Sequence, residues 1–108
     1  MDNMKIIFVS GAYRANSKEG ISQNIETARI WAIKLWQLGF AVICPQLNSA
    51  HFDGACDDEV WIEGYKEILR RCDYIFMLPN WEKSEGAKAE LEMAKQEGID
   101  IIHSGELI

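Results

Sequence analysis

Short apolar runs recur along the chain, and each has the length of a β-strand. They are KIIFVSG (5–11), FAVICP (40–45), DYIFMLP (73–79) and IDIIH (99–103). The first run ends in glycine and the next two end in proline, residues that commonly close a strand. Continuous apolar runs of this kind are typical of strands buried on both faces, and they predict a parallel sheet.

Helical periodicity fills the segments between these runs. Residues 24–39, 59–72 and 84–98 carry apolar side chains on one arc, and Gly39 marks the end of the first helix. In that helix the inward arc consists of Ile25, Ala28, Ala32, Leu35 and Trp36. The alternation of strand and helix predicts a single domain over residues 1–108 with an α/β fold. The expected architecture is a Rossmann-like, doubly wound sandwich on a mostly parallel sheet of four to five strands.

The third predicted helix, SEGAKAELEMAKQEG (84–98), places a carboxylate at the edge of its apolar stripe. That stripe consists of Ala87, Leu91 and Ala94. Glu90 lies beside it, whereas Glu92 points the other way. An unpaired buried charge costs roughly several kcal/mol, so Glu90 needs a partner. It either faces a ligand cleft as a nucleophile or acid/base, or it reaches solvent or pairs with Lys88 or Arg14.

Open parallel sheets bind ligands beyond the carboxyl ends of their strands. After the first strand, Gly11 permits close backbone approach, and Tyr13 and Arg14 offer a flat surface and hydrogen-bond donors. This segment lacks the GxGxxG fingerprint of dinucleotide-binding proteins.

The segment after the third strand is richer in candidate chemistry. Ser84 is a candidate N-cap. Gly86 lies in the first helical turn, where glycine has a low helix propensity. A ligand lying against the helix start would explain the glycine, and the free N–H groups there favour an anion such as a 5′-phosphate. The alternative is a capped helix whose glycine packs closely on the sheet.

Two further features of the pattern carry expectations. The thirteen residues 46–58 form a long segment between a strand and a helix, which predicts an ordered functional loop. Apolar side chains also extend round the first helix beyond one buried arc, and this excess predicts a homo-oligomer interface. The residues concerned are Ile30, Trp31, Ile33 and Leu38.

Composition narrows the functional classes. The chain of 108 residues has a formal charge of −6 and a pI near 4.8, which disfavours duplex nucleic acid as a partner but leaves single nucleotides open. Its start is unlike a signal peptide and no stretch is apolar enough to cross a membrane, so we expect no membrane contact and a cytoplasmic location.

Three cysteines, Cys44, Cys56 and Cys72, suit buried thiols in a reducing compartment. The spacing disfavours a zinc site, whose candidate ligands would be His51, Cys56 and His103.

The pattern S-x-G-x-x-x-E-x-x-x-A, formed by Ser84, Gly86, Glu90 and Ala94, resembles the nucleoside 2-deoxyribosyltransferase family. The opening SGAYR, the CDYIFMLP strand and the HFDG loop also resemble family segments, and the similarity extends over about residues 5–103. It is greatest to small, often phage-associated members of unassigned function. The 2′-deoxynucleoside 5′-phosphate N-hydrolases are more distant.

The resemblance implies a covalent mechanism without a metal or cofactor. The glutamate matching Glu90 would attack the anomeric carbon of a 2-deoxyribosyl group, and the serine matching Ser84 would contact the 5′ end of the sugar. The Gly11–Arg14 loop would wall the pocket. Gln46 and Asn48 are candidate base contacts, because amides pair with donor or acceptor edges. The resemblance also implies an oligomer in which a neighbouring chain contributes residues to each pocket.

One departure from the family pattern opens an alternative. Family enzymes use an aspartate to transfer a proton to the departing base. This chain has Tyr65 at that position, and a phenol is a poor proton-transfer group at neutral pH. Phe8 stands where some relatives have a tyrosine that steadies the nucleophile. Asp73 is expected at the opposite end of the sheet, and Asp53 is a weaker candidate for the acid. An N-glycosidase or deoxyribosyltransferase is therefore the leading hypothesis. A nucleotide-binding protein that lost catalysis comes second, and a structural subunit with a vestigial pocket third.

Overall fold

A computed structural model describes residues 3–107 and contains one sheet of four parallel strands. The strands are β1 (Ile6–Ser10), β2 (Ala41–Ile43), β3 (Tyr74–Met77) and β4 (Asp100–His103), in the order β2-β1-β3-β4. The helices are α1 (Lys18–Gln37), α2 (Pro45–Asn48), α3 (Asp58–Arg70) and α4 (Glu85–Glu97), and short 3₁₀ turns cover Trp81–Lys83 and Ser104–Leu107. The α/β, Rossmann-like, doubly wound fold predicted from the sequence is confirmed.

Apolar residues on the two faces of the sheet form two separate cores. On one face, Ile7, Val9 and Phe76 pack against the Ala28, Ala32 and Leu35 stripe of α1. On the other face, the side chains come from both the sheet and the helices α3 and α4. These are Phe8, Ile75, Met77, Leu69, Ala87, Leu91 and Ala94. Both faces of β1 and β3 are therefore buried, which explains why their sequences are continuously apolar.

Strand order determines where a ligand can bind. From β1 the chain runs outward to β2 and then crosses back to β3, so the direction of strand addition reverses between the two central strands. In open α/β sheets the crevice at this reversal, beyond the carboxyl ends of the strands, is the usual ligand site. Ser10 ends β1 at this edge and is paired in register with Met77, the last residue of β3.

Two helix boundaries differ from the sequence prediction. The first helix begins at Lys18 instead of residue 24, because Ser17 caps it by accepting a hydrogen bond from the Gly20 N–H at 3.0 Å. A helical turn, Pro45–Asn48, with proline in its first turn, overlaps the start of the segment 46–58 predicted as an irregular loop.

The prediction that Trp36 lies in the core is wrong. Its side chain is 55% exposed, whereas Trp31 packs on Phe76 with ring centroids 5.4 Å apart. The buried arc of α1 is thus turned towards Trp31 and away from Trp36. Within residues 3–107, no helix is long and apolar enough to cross a bilayer.

Candidate functional site

Glu90 lies where the sequence pattern predicts, beside the buried stripe of α4 and at the carboxyl edge of the sheet. The Ser10 hydroxyl donates a hydrogen bond to Glu90 Oε1 at 2.7 Å. Ser10 is fully buried, and it precedes the loop that carries Gly11. The contact joins residues 80 positions apart and connects the middle of the sheet to the second turn of α4.

The second carboxylate oxygen of Glu90, Oε2, is not fully buried. Among the described residues, Oε2 has no hydrogen-bond partner, yet no fully buried side-chain oxygen or nitrogen lacks one. Oε2 therefore remains accessible to solvent. Both ion-pair alternatives are contradicted, because Lys88 pairs with Glu85 at 3.5 Å and Arg14 pairs with Asp58 at 2.6 Å. One oxygen is therefore held by Ser10, and the other has no hydrogen-bond partner among the described residues.

Burial changes the acidity of this carboxyl group. Desolvation raises the pKa of Glu90 from 4.5 to about 7, against the opposing effects of the Ser10 hydrogen bond and the positive charge of Lys66 on α3. Near neutral pH both the carboxylate and the carboxylic acid are present. A group in this state can act as a nucleophile when ionised and can exchange a proton when it is not.

The start of α4 lies next to this carboxylate in sequence and is open. The Ser84 hydroxyl accepts the Ala87 N–H at 3.0 Å, which confirms the predicted N-cap. A Cβ on Gly86 would meet only the Ser84 Oγ, at 3.7 Å. The alternative that Gly86 packs closely on the sheet is therefore wrong, and a ligand at the helix start stays a prediction.

The loop after β1, in contrast, is packed tightly. A Cβ on Gly11 would approach Leu78 to 2.6 Å and the Asn80 Oδ1 to 2.8 Å, so only glycine fits. The Asn80 Oδ1 also accepts the Ala12 N–H at 3.0 Å. Asn24 on α1 donates to the carbonyl oxygens of Tyr13 and Arg14 at 3.1 and 3.3 Å.

The side chains of this loop bind the segment before α3. The Tyr13 hydroxyl donates to Asp53 Oδ1 at 2.9 Å and accepts the His51 N–H at the same distance. The exposed pair of Arg14 and Asp58 forms a second link, to the first residue of α3. The structure therefore brings Asp53 to Tyr13. Substrate contacts of Tyr13 and Arg14, and an acid role for Asp53, stay predictions.

The predicted base contacts have partners within the protein. The buried Gln46 donates its amide to the Gly11 carbonyl oxygen at 3.2 Å, while Asn48 donates to the Tyr65 hydroxyl at 3.0 Å. Ser49 Oγ lies 2.8 Å from that hydroxyl. Tyr65 thus fastens α3 to the segment after β2, and whether Gln46 or Asn48 also contacts a base stays a prediction.

Phe8 is fully buried against the ring edge of Tyr65, with centroids 6.3 Å apart. The hydrogen bond to Glu90 comes instead from Ser10, two residues later on the same face of β1. Asp73 lies at the opposite end of the sheet, as expected, where it accepts the Ile6 N–H at 2.8 Å.

A separate cleft of about 270 Å³ lies between α3 and the segment after α2. Phe52, Trp61, Tyr65 and Asn48 line it, whereas Glu90 and Ser84 do not. Across residues 3–107, no group of three histidine, cysteine or acidic side chains has the geometry of a metal site, and His51, Cys56 and His103 do not come together as ligands.

Sequence reasoning missed four residues that shape the site: Ser10, Asn24, Lys66 and Asn80. Ser10 carried one signal, a serine at the end of an otherwise apolar strand. Asn80 bonds to Asn24, 56 residues away in sequence, and to Ala12, 68 residues away. No local sequence pattern reveals such contacts.

Comparison with known proteins identifies a family and supports the fold. A family model described as a domain of unknown function (DUF4406) matches residues 7–103. No curated protein matches the chain. A solved structure, described as a conserved protein from Enterococcus faecalis V583, is similar with a TM-score of 0.63 and 17% identity. The similarity covers 93% of this chain and 62% of that one, so the chain spans less than two thirds of that protein's length.

Proposed function

This chain belongs to the DUF4406 family of domains of unknown function, and we propose that it cleaves or transfers the N-glycosidic bond of a 2′-deoxynucleoside or its 5′-monophosphate. Glu90 is the nucleophile. The observation that carries the proposal is the arrangement of its carboxylate, with Oε1 held by the buried Ser10 and Oε2 open at the carboxyl edge of the sheet.

The alternative partners of Glu90 within the protein are already engaged. A carboxylate in this partly apolar position is destabilised by several kcal/mol unless a ligand compensates for the lost water. The raised pKa of Glu90 is consistent with that cost. Because the chain keeps an unpaired acid at a typical ligand-binding edge, a substrate is the partner that best accounts for it.

The reaction proceeds as two displacements at the anomeric carbon. Glu90 Oε2 forms a bond to C1′ while the bond from C1′ to the base nitrogen breaks, and the electron pair leaves with the base. The base then takes a proton from water. In the second step a water molecule or another base attacks C1′, the ester bond breaks and Glu90 returns as a carboxylate. In either case, the proton that the attacking water or base loses passes to solvent.

The start of α4 would receive the 5′ end of the substrate. Free N–H groups in the first turn and the positive end of the helix dipole favour a phosphate, and the Ser84 hydroxyl can still donate its hydrogen. The open space around Gly86 leaves room for this contact. The loop from Gly11 to Arg14 would form the opposite wall.

Exposed apolar side chains support self-association of this chain. The surface of α1 exposes the apolar side chains of Ile30, Ile33, Trp36 and Leu38, each 41% to 56% exposed. Apolar exposure of this kind favours association of copies. We propose a homo-oligomer acting on nucleotides in the cytoplasm.

Base release from the four deoxynucleosides and their 5′-monophosphates tests the proposal. We expect at least one compound to yield free base, and Glu90→Gln to lower the rate by more than about a thousandfold, because an amide cannot form the ester intermediate. Glu92→Gln is the matched control, since Glu92 faces solvent on the same helix and pairs with Lys95. Release of no base from any of the eight compounds would count against an enzyme.

The binding of a nucleotide without catalysis is a second candidate, favoured by Tyr65. Its hydroxyl is held by Asn48 and Ser49. The resemblance implies a catalytic aspartate at this position. Calorimetry separates the two functions. Saturable binding without turnover, retained in Glu90→Gln, would favour the binding protein, whereas gain of base release in Tyr65→Asp would favour an enzyme scaffold.

A further inference from the structure

We propose that Ser10 is the positioning residue for Glu90, and that by fixing Oε1 it makes Oε2 the oxygen that attacks the sugar. The inference rests on the proposed function and adds to it a division of roles between the two carboxylate oxygens.

Ser10 is placed to hold a side chain more precisely than a loop residue could. It ends a central strand that is hydrogen bonded to β2 on one side and to β3 on the other. Its backbone oxygen accepts the Leu78 N–H at 2.8 Å, so the strand edge is fixed at this residue. Donors on regular elements hold a functional group with less freedom than donors on loops.

The Ser10 hydroxyl has one partner in the described part of the chain, and that partner is Glu90. A fully buried serine on an apolar strand loses its hydration, and an alanine would fit the same space without that loss. The hydrogen bond to Glu90 is therefore the feature that accounts for serine at this position.

Charges near Glu90 do not provide an equivalent anchor. On α3, Lys66 acts on Glu90 through its charge but forms no hydrogen bond with it, and its ammonium lies 3.8 Å from Glu63. Among the described residues, neither Lys83 nor Asp100, which lie on other elements packed against α4, forms a hydrogen bond or an ion pair with Glu90. Ser10 is thus the group that fixes the direction of the carboxylate.

The same hydrogen bond serves both steps of the reaction. When Oε2 bonds to C1′ and the base departs with the electron pair, Oε1 becomes the carbonyl oxygen of the ester. Ser10 still donates to that oxygen, and it donates again to the carboxylate when water breaks the ester. No proton leaves Ser10 in either step, so its role is positioning.

Titration of the Glu90 carboxyl carbon by ¹³C NMR tests the inference without a substrate. The hydrogen bond from Ser10 stabilises the charged form of Glu90. Ser10→Ala removes this bond and should therefore raise the pKa of Glu90 by about one pH unit. Ser10→Thr, which keeps the hydroxyl, should titrate like the wild type. Ser17→Ala is the control, since it removes a serine hydroxyl from the cap of α1 and should leave the titration of Glu90 unchanged.

Kinetics provide the second readout. With a substrate that the wild type cleaves, Ser10→Ala should lower kcat about tenfold with a smaller change in KM, and the acid limb of the pH profile should move to higher pH. If Ser10→Ala does not fold, Ser10→Cys, with a weak thiol donor, should shift the titration in the same direction. A Glu90 titration that is unchanged in these variants would overturn the inference. If the wild type cleaves nothing, the proposed function fails, and the NMR result still decides whether Ser10 controls Glu90.

Discussion

The loop after β1 and the start of α4 both lie at the carboxyl edge of the sheet, but they differ in how far the protein satisfies its own groups. Around Gly11, backbone and side-chain groups have partners in Asn24, Gln46 and Asn80. Around Gly86, the space beside the glycine is open, and one oxygen of Glu90 has no partner within residues 3–107. The first region is a preformed wall, and the second has the features of a surface that a ligand completes.

The largest effect should come from removing the charge at the open region. Well below pH 4.5, Glu90 is protonated in both the folded and the unfolded chain. Its ionisation then makes no difference to the free energy of unfolding. As the pH rises from 4.5 through the folded pKa of about 7, the unfolded chain ionises first and the folded state loses stability.

Glu90→Gln does not ionise, so it should be more stable than the wild type by up to about 3 kcal/mol at pH 8 and by much less at pH 4. Urea unfolding at the two pH values measures this difference. Equal gains at both pH values would mean that Glu90 is not held in a desolvated position.

A smaller effect, in the opposite direction, should come from a substitution in the tightly packed loop after β1. Gly11→Ala forces a Cβ to within 2.6 to 2.8 Å of Leu78 and Asn80, and we expect a loss of about 2 kcal/mol in the free energy of unfolding. Denaturant unfolding with Gly64→Ala as the control, at a glycine with open space around it, isolates the effect of the clash. If Gly11→Ala retained wild-type stability, the wall would be more adaptable than the contacts imply.

The smallest effect on stability should come from the open glycine. Gly86→Ala meets no obstacle in the helix and should stabilise the protein by about 0.5 to 1 kcal/mol. The same methyl group would intrude on a phosphate at the helix start, so nucleotide affinity measured by calorimetry should fall although stability rises. A rise in stability with unchanged affinity would place the ligand elsewhere.

Periodicity predicted the fold and the position of Glu90, because both depend on local spacing. Continuous apolar runs located the four strands, and the stripe on α4 placed Glu90 at its edge. The start of α1 was missed, since the turn after Ser17 is mostly polar and is set by a cap instead of an apolar pattern. The short α2 was missed because four residues are too few to display a helical period.

The partners within the site could not be predicted from local sequence. Ser10 meets Glu90 only after β1 and α4 are brought together across the fold, and Asn80 meets Ala12 in the same way. Trp36 was assigned to the core because periodicity defines an arc but does not fix how that arc is rotated on the sheet. The packing of Trp31 on Phe76 decides that rotation.

Trapping the covalent intermediate tests the central claim most directly. A deoxynucleoside bearing fluorine at C2′ destabilises the oxocarbenium-like transition states, and it should therefore slow the breakdown of any sugar ester. After acid quenching and proteolysis, mass spectrometry should find one sugar group on the peptide that contains Glu90, and none in Glu90→Gln. Base release by the wild type with an unmodified Glu90 peptide, together with undiminished release by Glu90→Gln, would contradict the account.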